Sequence, residues 1–472
     1  PASAQPPAAP SAPVDASDEE PNEEIVITGR RFSDSLADAL RLKRGADSIV
    51  DAVSAADIGK FPAVNVAEAL QRIPGVSISR EAGEGQFVSV RGLGPNFQSV
   101  TLNGSPIAYN ENIRNSDQSG RQFQFRVIPA DLVAGIVVAK SPTADLIDGG
   151  IGSNIDIRTA RALDIAPFVT VRAFTHYEDR TGENTPNGSV SAAWRNADRT
   201  FGVIAGVSYQ TRDVQFDRFQ LFGYTNRTIE GQSVAVPSNI ALTLEEEKRR
   251  RLSFLGGVQW EPVDTLKISF DALYSNFNNE IDENRILIDL GSRADFATRV
   301  VPGSTVIRDG VLYAADLRGG RINRNAEFSE QTHENISLRL QAEFTPGAWR
   351  IVPSIGYSEA ISGLDTPLQR LDGRTPDNPP GLTYGYDFGD DPVGDVRVAR
   401  VRTNLDLTGP AAAPFFRYRI RPTNSEDKDL TAFLDVGRDI GARIAGIELT
   451  SIRFGAQYTD RSRDYPRRDR EL

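Results

Sequence analysis

Apolar residues in the first third of the chain change their spacing from the period of a helix to the period of a strand. Four of them, spaced i, i+3, i+4 and i+7, lie on one helix face: Val66, Ala69, Leu70 and Ile73. The period then becomes two, since Val88 and Val90, and later Val100 and Leu102, occupy alternate positions. The pattern predicts a short helix followed by a small antiparallel sheet, with its turn at residues 92–96.

The ends of the predicted helix carry capping residues. Asn65 can accept a hydrogen bond as N-cap, and Glu68 can return one to the amide of Asn65. Pro74 and Gly75 predict the end of the helix, because proline cannot continue the hydrogen-bond ladder and glycine tolerates a left-handed conformation.

From about residue 167 the chain is a succession of alternating strands. One face of each strand is apolar and the other is polar or charged, most clearly at Phe201–Tyr209, Leu252–Trp260, Ile268–Tyr274, Ile336–Phe344 and Ile452–Tyr458. Aromatic residues near strand ends are typical of the girdle of an outer-membrane barrel, namely Trp260, Tyr274, Tyr357 and Tyr458. Short turns at residues 261–264 and 345–348 alternate with long polar loops, predicted at about 214–246 and 284–328. The pattern favours a mainly β chain that forms a transmembrane antiparallel β-barrel.

Composition narrows the classes of function. The chain has 472 residues, with 53 basic and 64 acidic side chains and a net charge of −11, so it offers no basic footprint for nucleic acid. It contains no cysteine and two histidines, which excludes thiolate metal sites and disfavours a histidine-rich one. The sequence predicts no cofactor and no Ser/His/Asp arrangement, so an enzyme is not expected. Residues 148–152 are glycine-rich, but a strand at 154–158 follows them, where a nucleotide loop needs a helix.

Three ordered motifs resemble the plug of a TonB-dependent outer-membrane receptor, in particular the Xanthomonas/Caulobacter-type subgroup. They are NVAEALQRIPGV at residues 65–76, VRGLGPNFQSVTLNG at 90–104 and SPTADLIDGGIGSNIDIRT at 141–159. The resemblance implies a flexible periplasmic arm at residues 1–22, a TonB box at 23–29, a small α+β plug at 30–160 and the first part of a barrel at 161–472. The Pro- and Ala-rich start also resembles the exposed end left by signal-peptide removal.

The expected TonB box is a short β-prone run in polar surroundings. It comprises Glu24, Ile25, Val26, Ile27 and Thr28. An extended run of this kind can add a strand to the edge of a partner's sheet. The resemblance implies that TonB, with energy from ExbB/ExbD, grips it. The alternative is an ordinary first strand of the plug.

The resemblance also implies contacts inside the receptor. Arg91 and Lys140 would pair with barrel glutamates, although lysine lacks the bidentate fork of arginine. Residues 81–86 and 108–120 read as polar loops at one end of the plug. They would help to bind the ligand through Glu84, Gln86, Tyr109, Asn110, Asn112 and Arg114. The alternative is that both segments are ordinary solvated loops.

The expected function is TonB-dependent active transport of a scarce nutrient, an oligosaccharide or a siderophore-type ligand, across the outer membrane of a Gram-negative bacterium. A surface receptor or adhesin with a static plug is the alternative, and it would not need a TonB box. Outer-membrane lipid surrounds the chain in either case, and an accessory lipoprotein is a further possible partner.

The number of predicted strands is about half of that in a complete receptor. Roughly ten or eleven strands are predicted after residue 167, whereas plugged transporters have about 22. Open strand edges in lipid leave backbone groups unpaired, which costs several kcal/mol each. We therefore expect either that the chain continues beyond this sequence or that a second chain completes the barrel.

Overall fold

The computed structural model describes residues 43, 48–54, 65–110, 120–144, 146–147, 149–389, 400–406, 413–444, 447–468 and 470–471. The predicted arm and TonB box lie outside the described residues. Within that part of the chain, none of the helices is long and apolar enough to cross a membrane.

The N-terminal region is an α+β unit. Its helix α1 spans Val66–Leu70, and short 3-10 helices occupy Pro95–Phe97, Phe125–Val127 and Ala130–Leu132. Its strands are β1 (Val50–Ser54), β2 (Val76–Glu81), β3 (Glu84–Val90), β4 (Gln98–Leu102), β5 (Ser105–Pro106), β6 (Gly135–Ala139) and β7 (Ser153–Arg158). Five of them form a sheet in the order β1-β6-β7-β4-β5, and β2 pairs with β3 separately.

The predicted helix is confirmed, and its capping differs in one detail. The side chain of Asn65 accepts a hydrogen bond from the amide of Glu68 at 3.3 Å, and Gly75 takes a left-handed φ of 74°. The carboxylate of Glu68 does not return to Asn65. It accepts from the amide of Gly85 at 3.2 Å instead, because the β2–β3 hairpin packs against the helix.

The prediction that the strands around Val88 and Val100 pair with each other is wrong. β3 pairs with β2, whereas both edges of β4 are taken, by β7 in parallel and by β5 in antiparallel register. The turn at residues 92–96 therefore links two sheets. The apolar faces of these elements meet in one core with the helix, which includes Leu70, Val88, Val100, Ile136 and Ile155.

The rest of the chain is almost entirely β. Its strands are β8 (Phe168–Glu178), β9 (Glu183–Arg195), β10 (Phe201–Leu221), β11 (Tyr224–Ile229), β12 (Gln232–Pro237), β13 (Asn239–Val263), β14 (Leu266–Asp289), β15 (Val306–Arg308), β16 (Val311–Arg318), β17 (Arg321–Phe344), β18 (Trp349–Arg374), β19 (Thr383–Asp387), β20 (Arg400–Thr403), β21 (Phe415–Arg421), β22 (Asn424–Ile444), β23 (Ile447–Asp464) and β24 (Arg470–Glu471). One short helix, α2, spans Phe296–Arg299.

Eleven of these strands form the barrel sheet. Nine follow one antiparallel path, β8-β9-β10-β13-β14-β17-β18-β22-β23, while β21 pairs with β18 and β24 pairs with β21. Its short turns follow β13 and β17, at residues 264–265 and 345–348. The mainly β fold expected from the alternating pattern is confirmed.

The barrel sheet is apolar on its outer face and polar on its inner face. Large apolar side chains remain exposed along it, among them Phe254 at 46%, Trp260 at 49% and Leu340 at 48%. The alternate positions of the same strands are polar and buried, as at Arg251 and Ser253. This arrangement inverts that of a water-soluble sheet and fits a strand face turned to lipid.

The two long polar loops predicted between barrel strands are largely strand. β10 and β13 extend well into the first, and residues 224–237 form the β11–β12 hairpin. The second contains β15 and β16, which join β11, β12, β19 and β20 in a six-stranded outer sheet. Its turns at residues 230–231 and 309–310 have positive φ at both positions, and each ends in glycine. This outer sheet buries its own core, which includes Val236, Phe296, Leu312, Leu317 and Tyr386.

The outer face of the barrel sheet gives the first prediction. Phe254→Arg places a charge near the middle of β13, and a charge at the bilayer midplane costs about 2–4 kcal/mol. We expect the variant to unfold at lower urea concentration than wild type in lipid vesicles, while Phe254→Leu stays close to wild type. Equal stability of the two variants would show that this face does not contact lipid.

Candidate functional site

The plug contacts the barrel sheet through a buried carboxylate between two arginines. Glu84, at the start of β3, is 1% exposed. Its two oxygens lie 3.1 Å from Arg249 Nη1 and 2.6 Å from Arg251 Nη2. Both arginines belong to the inner face of β13 and are themselves buried. A buried charge is stable only when it is paired and hydrogen-bonded, and this group meets both conditions.

Arg249 and a third arginine, Arg212, bind the tip of the β2–β3 hairpin through its backbone carbonyl groups. Arg249 donates to the carbonyl oxygens of Glu81 and Ala82, at 3.5 and 3.3 Å. Arg212 on β10 donates to the carbonyl oxygen of Gly83 at 3.5 Å. The hairpin tip therefore inserts among three arginines of the barrel sheet.

Asn65 connects this ion-pair cluster to the first plug helix. Its Nδ2 donates to Glu84 Oε1 and to the carbonyl oxygen of Gly85, each at 2.8 Å. Its Oδ1 caps the helix at the same time, and the residue is fully buried. One side chain thus links the helix start to the carboxylate that binds the barrel.

The charges around Glu84 control its ionisation. Burial alone would raise the pKa of this carboxyl group, but Arg251 and Arg249 outweigh burial. With help from Arg126 and Asn65, they lower the pKa of Glu84 from 4.5 to about 2. Glu84 is therefore an anion throughout the neutral range.

A second contact joins the plug to β14 and β17. Ser275 donates a hydrogen bond to the carbonyl oxygen of Val127 in the plug. The guanidinium groups of Arg126, from the plug, and Arg251, from the barrel sheet, lie 5.6 and 5.0 Å from the ring centre of Phe277. That ring stacks on His333 at 6.1 Å. Cation–π attraction lets the two arginines share one aromatic neighbour.

Tyr109 and Asn110, predicted as ligand contacts, are buried between the plug and the barrel sheet. The Tyr109 amide donates to Asp427 Oδ2 at 2.8 Å, and Arg461 lies 4.3 Å from the centre of its ring. Asn110 Nδ2 donates at 3.2 Å to the carbonyl oxygens of Glu334 and Ile361. These contacts attach the chain to four barrel strands just before residue 111, which does not favour a ligand role for either side chain.

Two of the remaining predicted ligand contacts belong to the described part of the chain. Glu84 and Gln86 lie in strand β3, not in a loop, and Gln86 is 4% exposed. The other two, Asn112 and Arg114, lie outside the described residues, as do Glu24 to Thr28.

The two residues predicted to bind barrel glutamates contact the plug instead. Lys140 Nζ is buried and donates to Asp51 Oδ2 at 2.5 Å and to the carbonyl oxygen of Pro74 at 2.6 Å. Arg91 has a positive φ of 53° and donates to the carbonyl oxygen of Gly152 at 3.4 Å. Lys140 lies close to β1, so its ammonium group finds hydrogen-bond acceptors within the plug.

Sequence reasoning missed Arg249 and Arg251 as plug contacts. The signal was present, because Lys248 to Arg251 are four basic residues in a strand with period-two alternation. Two of the four must then face inward. Their partner does not follow from the sequence, which predicts Glu84 as a ligand contact in a polar loop.

A cavity of about 500 Å³ lies at the outer ends of four barrel strands. Arg218, Thr243, Arg285 and Asn325 stand opposite one another across β10, β13, β14 and β17 and line it as one row. Phe219, Leu242 and Ile286 add apolar surface. The size of the cavity and its mixed polar and apolar lining suit a small-molecule ligand. Arg218 and Arg285 favour a ligand that is anionic or rich in oxygen atoms. Among the described residues, no group of three His, Asp or Glu side chains could hold a metal ion.

Comparison with known proteins agrees with this architecture. Residues 43–153 match the TonB-dependent Receptor Plug Domain family. The chain is 25% identical over 246 residues to the ferric enterobactin receptor PirA of Pseudomonas aeruginosa, a match that covers 49% of this chain and 30% of that protein. The chain therefore matches less than a third of this relative's length.

Solved structures similar to the chain include a receptor and a transporter. A variant of the ferric enterobactin receptor PfeA of P. aeruginosa aligns at 12% identity and a TM-score of 0.37, covering 85% of this chain and 63% of that chain. The outer membrane transporter YddB of Escherichia coli aligns at 11% identity and a TM-score of 0.36, covering 87% and 77%.

The low pKa of Glu84 predicts how the stability of the protein depends on pH. A carboxyl group whose pKa falls from 4.5 to about 2 on folding contributes stability above pH 4.5, and that contribution is lost as the pH falls towards 2. We expect the melting temperature of wild type to exceed that of Glu84→Gln at pH 7, and the gap to close between pH 4.5 and 2. A gap that stays constant over this range would contradict the ionic role of Glu84.

Proposed function

We propose that this chain, which belongs to the TonB-dependent receptors, takes part in active uptake of a scarce nutrient across the outer membrane of a Gram-negative bacterium. The observation that carries the proposal is a plug domain seated on the polar inner face of a lipid-facing β sheet. A barrel with so polar an interior is a leak unless a plug blocks it. The outer membrane has no ATP supply, so a mechanical partner is the natural source of energy for moving the plug.

TonB is the proposed partner, energised by ExbB/ExbD. It would bind Glu24, Ile25, Val26, Ile27 and Thr28 by strand addition and pull the plug from its N-terminal side. β1 is the first described strand after this segment, and it lies at one edge of the plug sheet. A pull on the N-terminal segment would therefore reach an edge strand before any central one.

We propose a siderophore-type ligand for the cavity at the outer ends of β10, β13, β14 and β17. Arg218 and Arg285 favour a ligand with anionic oxygen atoms, since guanidinium groups bind carboxylate and catecholate-like oxygens well. The related PirA protein is named as a ferric enterobactin receptor, which points the same way. An oligosaccharide would depend more on Asn284 and Asn325 and less on the arginines. The adhesin alternative receives no support from the related proteins.

Deletion of residues 23–29 tests the transport mechanism. We expect cells that express the variant to lose uptake of radiolabelled ferric enterobactin while still binding it at the surface, because ligand and TonB would contact opposite sides of the plug. A variant with all residues of 23–29 in scrambled order controls for the length of the arm. Undiminished uptake by the deletion variant would contradict the mechanism.

Substitution in the cavity tests the ligand class. Hydrogen bonds to charged groups contribute about 1.5–3 kcal/mol, so Arg218→Ala with Arg285→Ala should weaken ferric enterobactin binding at least about tenfold. Arg402→Ala is the matched control, since this exposed arginine pairs with Asp316 in the outer sheet, at 2.8 Å. If the double variant binds ferric enterobactin as tightly as wild type, while Asn284→Ala with Asn325→Ala loses affinity for a maltodextrin, the ligand is a saccharide.

A further inference from the structure

The ion pairs between plug and barrel sheet have a specific distribution of charge. The plug supplies the anion, Glu84, and the barrel sheet supplies the cations, Arg249 and Arg251. This polarity is the reverse of the one expected for Arg91 and Lys140, which bind Gly152 and Asp51 in the plug. The attachment of the plug therefore depends on a residue that the motifs do not identify.

Arg249 and Arg251 differ in the carboxylate partners that each would retain if the β2–β3 hairpin moved away from the barrel sheet. Arg249 has a second carboxylate, since Glu247 of the same strand accepts from its Nε at 2.8 Å and its Nη2 at 2.6 Å. For Arg251, the ion pairs found among the described residues include one carboxylate, that of Glu84. Its neutral contacts include Gln210 Oε1 at 2.5 Å and the ring of Phe277. Withdrawal of Glu84 would remove this carboxylate from Arg251, so return of the hairpin regains a buried ion pair.

Asn65 gives this cluster a connection to the N-terminal side of the plug. Its Nδ2 holds Glu84 while its Oδ1 caps α1, and residues 55–64 precede it in the chain. The amide of Val66 donates to the carbonyl oxygen of Ile128 at 3.4 Å, which further fixes this point in the plug core. A displacement of Asn65 would remove a hydrogen bond from the carboxylate that binds the barrel.

We infer that Glu84 is a positioning residue that latches the β2–β3 hairpin to Arg251 and Arg249, and that Asn65 couples this latch to the N-terminal segment of the plug. The latch holds the hairpin at rest and draws it back after displacement. Its link to pulling by TonB rests on the proposed function, whereas the latch itself does not. The experiments below use neither TonB nor ligand, so their failure is distinct from a failure of transport.

Hydrogen exchange of the purified full chain tests the latch. Glu84→Gln should speed exchange of β2 and β3 amides about tenfold, because local opening becomes easier when the ion pairs are lost. Asp131→Asn is the matched control: it removes another buried plug carboxylate that pairs with the barrel, Arg172 Nη1 lying 2.7 Å from Asp131 Oδ1. The inference is overturned if exchange in β2 and β3 is unchanged in Glu84→Gln, or if Asp131→Asn raises it equally.

Exchanging the charges of Glu84 and Arg251 distinguishes an effect of their ion pair from an effect of side-chain packing. The double variant E84R/R251E keeps the number of cations and anions in the cluster but swaps their positions. It should restore slow exchange to within about threefold of wild type, while E84R alone exchanges faster than Glu84→Gln. If the double variant exchanges as fast as E84R, Glu84 acts through shape and not through charge.

A double-mutant cycle tests the role of Asn65. Asn65→Asp keeps a cap acceptor and loses the donor to Glu84, so it should speed exchange of β3 about tenfold on its own. In the Glu84→Gln background it should add less than twofold, because its partner is already altered. Effects that multiply fully would show that Asn65 does not act through Glu84.

Discussion

The structure depends on one constraint: a β sheet that presents apolar residues to lipid carries its polar residues inward, and those residues need partners. Buried polar groups without hydrogen bonds cost free energy, and buried charges without counter-charges cost more. The plug supplies many of these partners. Glu84 meets Arg249 and Arg251, and Asp131 meets Arg172. Plug and barrel sheet thus stabilise each other mainly through polar contacts.

The inner face of β13 joins the two functional regions of the molecule. Thr243 lines the outer cavity, and the next inward positions are Glu245, Glu247, Arg249 and Arg251, which lead down to the plug hairpin. All five are buried. A ligand that binds Arg285 would compete with Glu283, whose carboxylate lies 2.8 Å from it. The cavity and the latch therefore lie along one charged surface.

The spacing of apolar residues and the capping residues together predict the individual helix and strands well. The face of α1, the strand β7, and the inside-out alternation of the barrel strands all follow from residue spacing. Strand pairing does not, because the alternating pattern around Val88 and Val100 gives each strand a face but no partner. The same limit applies to the outer sheet. The sequence predicts its strands as parts of long polar loops, although Gly231 and Gly310 occupy its turns. The plug supplies the anion and the barrel sheet the cation in the contact between Glu84 and Arg249. These two residues are 165 positions apart in the sequence, and no local pattern reports such a contact.

Accessibility of a buried plug residue is the most direct test of a plug that moves. The chain contains no cysteine, so Gln86→Cys would place one thiol on β3, where Gln86 is 4% exposed. Cells would be treated with a membrane-impermeant thiol reagent, with and without ligand and with and without functional TonB. A movable plug predicts labelling that rises only when ligand and TonB are both present. Labelling that stays at the resting level in all four conditions would contradict the account and leave a receptor with a static plug.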